Sequence, residues 1–150
     1  MPFRDRVREN SARLTRAAAA LTAEDVDSVW KGFAFEDLLH HELRAYASIA
    51  RKDRPIFHYS VSGGFDADFL VQVKPKTLSA SRQFVAVEAK LGRKFKSQWT
   101  KGISTLVAEC GNQVRRGIVV YQGTDRLLKD GIEIMPVTTF LEELHAGRVV

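Results

Sequence analysis

The chain has 150 residues, 45% of them hydrophobic and 27% charged, with a net charge of +5 and a pI near 9.6. These values suit one globular domain with its own core. No stretch approaches the roughly 18 consecutive apolar residues of a membrane span, and the lone Cys110 cannot close an internal disulfide, so a reducing cytoplasm is the expected setting.

Residues 3–20 read as a basic, alanine-rich helix leading into the domain. The alanine-rich run Leu14–Ala23 is broken by Arg16 and lacks the apolar centre of a signal peptide. Thr22-Ala23-Glu24-Asp25 resembles a capping box, and a long helix follows to about Ile49 with Val29, Phe33, Leu39 and Leu43 on one face. Pro55 ends it, because proline disfavours helical geometry in the residue before it. Three strands come next: Ile56–Val61, Asp66–Val73 after a Ser62-Gly63-Gly64 turn, and Phe84–Lys90 after a polar loop.

Ser97 opens a second helix whose stripe is Trp99, Ile103, Leu106 and Cys110, and Gly111-Asn112 stops it. Gly117–Tyr121 is wholly apolar and reads as a central strand. A strand over Ile132–Met135 and a helix over about Thr138–His145 close the chain. The order implies an α/β fold, with antiparallel hairpins feeding a buried strand through a helical crossover: a mixed sheet with helices on its faces. No internal repeat, low-complexity tract or linker divides the chain.

Charges interrupt two of these strands. Side chains alternate between faces in a strand, so Glu88 and Lys90 share one face of Phe84–Lys90 while Val85, Val87 and Ala89 take the other. On the preceding strand Asp66 and Asp68 share a face, opposite Ala67, Phe69 and Val71. Adjacent strands thus bring two or three carboxylates and a lysine to one spot. Two carboxylates with waters suit Mg²⁺, which activates a bound water and neutralises charge growing on a phosphate, while a lysine orients the water. From spacing alone, Glu88 and Lys90 read sooner as the solvated end of a strand, because so short a motif often matches by chance.

Glu36 adds to the pattern. It lies three residues from both Phe33 and Leu39, directing a carboxylate from an apolar stripe, which is costly without a partner. A salt bridge is the plain alternative. His40, one turn on, is either its hydrogen-bond partner or an ordinary rim residue.

The residues carry a resemblance. Gly32–Leu39 with His41-Glu42-Leu43, Asp66–Val71, Val87-Glu88-Ala89-Lys90, Gly117–Tyr121 and Gly131–Val137 resemble, in order and spacing, the PD-(D/E)xK nuclease superfamily. More closely, they are similar to the C-terminal domain of unknown function that follows the ATPase module of many prokaryotic AAA-type ATPases. The resemblance covers about residues 28–145. It implies a restriction-endonuclease-like α-β-β-β-α-β core over about 23–122 in a single nuclease-like domain, with the 3–20 helix as lead-in and 123–150 as extension. It implies Glu36 as the helix acid, Asp68 and Glu88 as ligands of Mg²⁺ or Mn²⁺, and Lys90 as the catalytic lysine. Two departures stand out: Ala67 replaces the proline that names the motif, and no phosphate loop of the form G-x-x-x-x-G-K-[ST] occurs. An ATPase module would therefore belong to a longer chain, or the domain is a free-standing relative.

With a carboxylate site in place, the basic run gains weight. Lys90, Arg93, Lys94, Lys96 and Lys101 suit a nucleic-acid backbone, DNA in the first place, although a net charge of roughly 2 to 8 and solvated basic loops are ordinary in small domains. Cys110 and Trp99 fit the core stripe, and Gln98 could touch substrate. Two functions are expected on nearly equal terms: a metal-dependent nuclease hydrolysing DNA phosphodiesters, and a non-catalytic module that binds DNA or a protein partner, regulating an attached ATPase.

Overall fold

The computed structural model of the protein describes residues 23–61 and 65–150. The helix expected over 3–20, the Thr22 cap and the turn at 62–64 lie outside them. The chain divides into two compact units, Met1–Ala34 and Phe35–Val150. The described part of the first is the opening of helix α1 (Ala23–Ile49), where Lys31 and Asp27 pair one turn apart at 2.5 Å.

The second unit is built on a six-stranded mixed sheet in the order β1-β2-β3-β4-β6-β5. Its strands are β1 (Ile56–Val61), β2 (Phe65–Lys74), β3 (Gln83–Lys90), β4 (Val114–Tyr121), β5 (Leu127–Lys129) and β6 (Ile132–Pro136). β1, β2 and β3 pair antiparallel, as short connections permit, whereas β3–β4 and β4–β6 are parallel and therefore need crossovers. The first crossover carries α2 (Lys101–Cys110), entered through a 3₁₀ turn over Ser97–Thr100. Helix α3 (Val137–His145) follows β6.

Alternation on the central strands builds two cores. Phe69, Val71, Val85, Val87, Ala89, Ile118 and Val120 join Phe35, Leu39, Leu43 and Tyr46 of α1 and Phe140 and Leu144 of α3. Ala86, Val119, Tyr121, Ile132 and Ile134 meet Ile103 and Leu106 of α2 on the other face. With both faces covered, β3 and β4 are apolar nearly throughout, the pattern expected of central strands. Each fully buried Leu or Ile contributes about 1.5–3 kcal/mol. The α2 stripe lies as the sequence implies. On α1 the buried stripe runs through Phe35, Leu39, Leu43 and Tyr46, and Phe33 is only half-buried.

Three local features shape β2 and the helix ends beside the sheet. The first is a bulge in β2: Phe57 pairs with Leu70 but Tyr59 with Ala67, so β2 carries one extra residue opposite His58. The bulge breaks the alternation expected of Asp66–Val71, and Ala67 packs in the α2 core while Phe69 and Val71 pack in the α1 core. The second is Gly102, at the start of α2, where a Cβ would overlap the carbonyl of Asp66. Only glycine lets the helix approach the bulged strand this closely.

The third is the end of α1. Arg51 adopts φ +51°, the amide of Lys52 donates to Ala47 O at 3.0 Å, and that of Arg51 to Ser48 O at 3.2 Å. This is a Schellman closure with arginine where glycine is usual, at a cost of roughly 1–2 kcal/mol.

No helix among the described residues is long and apolar enough to cross a membrane.

Candidate active site

The pairing of β2 with β3 runs as far as Phe69–Val87, and beyond it side chains take over from the backbone ladder. The Asp68 amide donates to Glu88 Oε2 at 3.2 Å, and the Ala89 amide donates to Asp68 Oδ2 at 2.7 Å. The two carboxylates therefore sit where the strands part, each satisfying an amide that the ladder would otherwise have used. Glu88 Oε1 pairs with the Lys90 ammonium, which remains about a third exposed, while the Glu88 side chain is 6% exposed. Glu88 and Thr100 are the buried polar residues of the described chain. The structure thus brings together Asp68, Glu88 and Lys90.

Glu36 belongs to the same electrostatic neighbourhood. It is half-buried on the flank of the α1 stripe, and its charge is among those that raise the Lys90 pKa. His40, one turn on, stacks flat on Phe69 at 5.7 Å between ring centroids.

The charge balance is unequal. Burial first, then repulsion from Asp68, pushes the Glu88 carboxyl up to about 8, and Lys90 only partly offsets this. Burial is also the main force raising Asp68, against the Ala89 hydrogen bond and the attraction of Lys90. For Lys90, burial acts downward, but Glu88, Asp68 and Glu36 together hold the ammonium above its ordinary value. At neutral pH such a pair retains a proton or accepts a cation. Asp66 adds to the excess: it raises Asp68 further, and its Oδ1 is buried with no hydrogen-bond partner among the described residues.

One neighbour escaped the sequence reading. His58, opposite the bulge, places Nδ1 3.1 Å from the Asp68 carbonyl, and its charge lowers the Asp68 pKa. A carbonyl only accepts, so Nδ1 must carry the proton. Only the β1–β2 register, including the bulge, could have revealed it.

Arg93, Lys94, Lys96 and Lys101 are exposed and form no ion pair among the described residues. The loop that carries the first three is anchored from below. Phe95 meets Trp99 edge-on at 6.1 Å, Trp99 meets Tyr121 at 6.2 Å, and the Gln122 amide donates to Gly92 O at 3.0 Å. Trp99 is therefore a packing residue, as its stripe implied.

Among the described residues, no group of three or more His, Cys, Asp or Glu side chains is arranged to hold a metal ion. The pair Asp68 and Glu88 offers hard oxygen donors with surplus negative charge. Mg²⁺ is commonly bound by one or two carboxylates together with waters and substrate phosphates, so the donor set fits such an ion.

A mixed sheet flanked by three helices, with an acid–lysine cluster at the parting of two antiparallel strands, defines an α/β domain. The chain belongs to the family described as Domain of unknown function (DUF4143), whose model matches residues 31–140 and whose members often stand behind AAA ATPases. No curated protein and no solved structure matches the chain.

Proposed function

We propose that this domain is a divalent-metal-dependent nuclease of the PD-(D/E)xK type that hydrolyses DNA phosphodiesters in the cytoplasm. The observation that carries this reading is the contact of Asp68, Glu88 and Lys90, a buried cluster with more carboxylates than cations. Carboxylates perturbed by burial and by a specific charged neighbour cluster at functional sites. Asp68 and Glu88 would hold Mg²⁺ or Mn²⁺, which when bound lowers the pKa of its water and neutralises charge on the scissile phosphate.

The chain's own residues divide the remaining work. The Ala89 amide fixes Asp68 Oδ2, and the Glu88 carboxylate holds the Lys90 ammonium at the strand end. From there Lys90 orients the attacking water and stabilises charge developing on phosphate oxygens. Glu36 helps keep Lys90 protonated. Arg93, Lys94, Lys96 and Lys101 supply exposed cations for the phosphate backbone.

One observation favours a second reading. Lys90 already satisfies Glu88, and a closed ion pair of this kind also suits a non-catalytic module that binds DNA or a partner such as an attached ATPase. Incubation of plasmid and single-stranded DNA with Mg²⁺ or Mn²⁺ separates the two. Cleavage that disappears in Glu88→Ala supports the nuclease, and salt-dependent binding without cleavage under both metals sinks it.

A further inference from the structure

The last turns of α1, the turn that follows and the start of β1 line an open groove of about 360 Å³, at the lower end of the roughly 300–1,000 Å³ of small-ligand sites. Its walls include His40, Arg44, Lys52 and Arg54, against one acid, Asp53. Ala47, Pro55 and Ile56 give it an apolar side. Arg44, Lys52 and Arg54 make no ion pair among the described residues, so with His40 neutral the cavity carries two excess positive charges. The C-terminal dipole of α1 opposes this with about half a negative charge, and the Ala47 and Ser48 carbonyls already accept the amides of Lys52 and Arg51, so the positive field wins.

Several of these side chains are held in place before any ligand arrives. Arg54 donates from NH1 to the Val73 carbonyl at 3.0 Å, and its Nε is buried with no partner among the described residues. Lys52 bonds the Tyr46 hydroxyl at 3.2 Å and lies 5.6 Å from the centroid of that ring. The left-handed Arg51 turns 52–54 into position after the helix. Cations fixed around a concavity and left unneutralised are what an anion with bidentate oxygens needs, and phosphate meets that description.

We propose that this cavity binds the phosphate of a nucleotide, with Arg44, Lys52 and Arg54 as its cationic contacts and the Pro55–Ile56 wall against the sugar or base. The phosphate comes from a nucleic-acid strand or from a free mononucleotide. His40 lines the cavity and stacks on Phe69, the residue after Asp68. The binding does not require the carboxylate cluster to be catalytic.

The test is an amide NMR titration of the full chain in metal-free buffer containing EDTA. The probes are inorganic phosphate, thymidine 5′-monophosphate, and a thymidine octamer with and without a 5′-phosphate. Phosphate-bearing probes are expected to shift the amides of Arg44, Ala47, Lys52 and Arg54. The double variant Arg44→Ala/Lys52→Ala should bind the octamer at least about tenfold more weakly at 0.1 M salt, with a salt slope lower by about 1.4. Lys76→Ala, on the exposed loop between β2 and β3, should leave the monophosphate affinity unchanged. Monophosphate binding as tight as the octamer identifies a free nucleotide as the ligand, and a clear preference for the octamer identifies a strand. Shifts confined to residues 90–101, or no shifts at all, overturn the proposal, as does unchanged binding by a folded double variant. Should that variant fail to fold, the wild-type shift map decides alone. Repeating the titration with Glu88→Ala keeps the two readings apart: retained cavity binding, whether or not the wild type cleaves DNA, bears on this site only.

Discussion

Two charged clusters sit in the same sheet and behave in opposite ways. Beyond the Asp68–Glu88–Lys90 site, Arg116 on β4 donates from Nε and NH2 to both oxygens of Glu133 on β6, at 2.5 and 3.0 Å. Glu143 on α3 receives Arg116 at 3.2 Å and Arg126 at 2.6 Å, and Arg126 also reaches Glu133 at 2.8 Å. Two arginines face two glutamates, and every charge is matched. There the Arg116 hydrogen bonds, outweighing burial, draw Glu133 down to about 2. At the strand fork, by contrast, burial and a neighbouring acid push Glu88 up to about 8. A neutral cluster fastens strands to a helix, whereas an unbalanced one stores a demand for a proton or a cation. The contrast supports reading the first as structural and the second as chemical.

Four substitutions put this contrast at risk. The largest effect should come from Glu88→Ala, which is expected to lower metal-dependent DNA cleavage by about 10³-fold or more and to abolish Mg²⁺ binding in calorimetry. Glu133→Ala should leave the cleavage rate of the folded protein within about threefold of wild type, and equal losses from the two would erase the distinction. Next, Lys90→Ala should reduce cleavage by about 10² while changing DNA affinity less than about threefold, because one cation among several contributes little to uniform binding. If Lys94→Ala reduced cleavage as much, Lys90 would be only one more backbone contact.

The remaining expectations concern pH. Folded Glu88 keeps its proton up to about pH 8, while in the unfolded chain it ionises near 4.5. Between those values the native state binds more protons, so stability falls as pH rises through that window. In metal-free urea denaturation, Glu88→Gln should remove this loss and gain on the order of 2 kcal/mol over wild type between pH 6 and 9. A wild-type curve that is flat above pH 6 would contradict it. Glu133 has the opposite sign. Its contribution is present above about pH 4.5 and disappears as pH falls toward 2. Glu133→Gln should therefore cost about 1–2 kcal/mol at pH 7, given its partial exposure, and nothing near pH 2. A deficit that persisted in acid would mean lost packing rather than lost pairing.

Much of this was legible in the sequence because the signals are local. The alternation of Phe84–Lys90, the α2 stripe and the apolar run Gly117–Tyr121 each name an element without reference to the others. Asp68, Glu88 and Lys90 stood out because each interrupts such a pattern. What escaped depends on partners distant in the chain. β5 is three residues long and exists as the hairpin mate of β6. β4 begins at Val114, before its apolar run, because Arg116 has Glu133 and Glu143 to receive it. The bulge at Asp68, and with it the role of His58, follows from strand register, which composition does not encode.

Gly102 ties two parts of the candidate site into one mechanical piece. Helix α2 rests on the Asp66 carbonyl with no side chain between them, and the same helix, with its 3₁₀ entry, carries Lys101 and the Trp99 ring that underpins the basic loop. Any shift of that loop that moves α2 presses directly on the strand residue two before Asp68. A phosphate gripped by Lys94 or Lys96 would therefore bear on the spacing of the carboxylates through a stiff strut, with no hinge needed. Even a methyl group at position 102 would wedge the strut away from the bulge, loosening the grip of one end on the other.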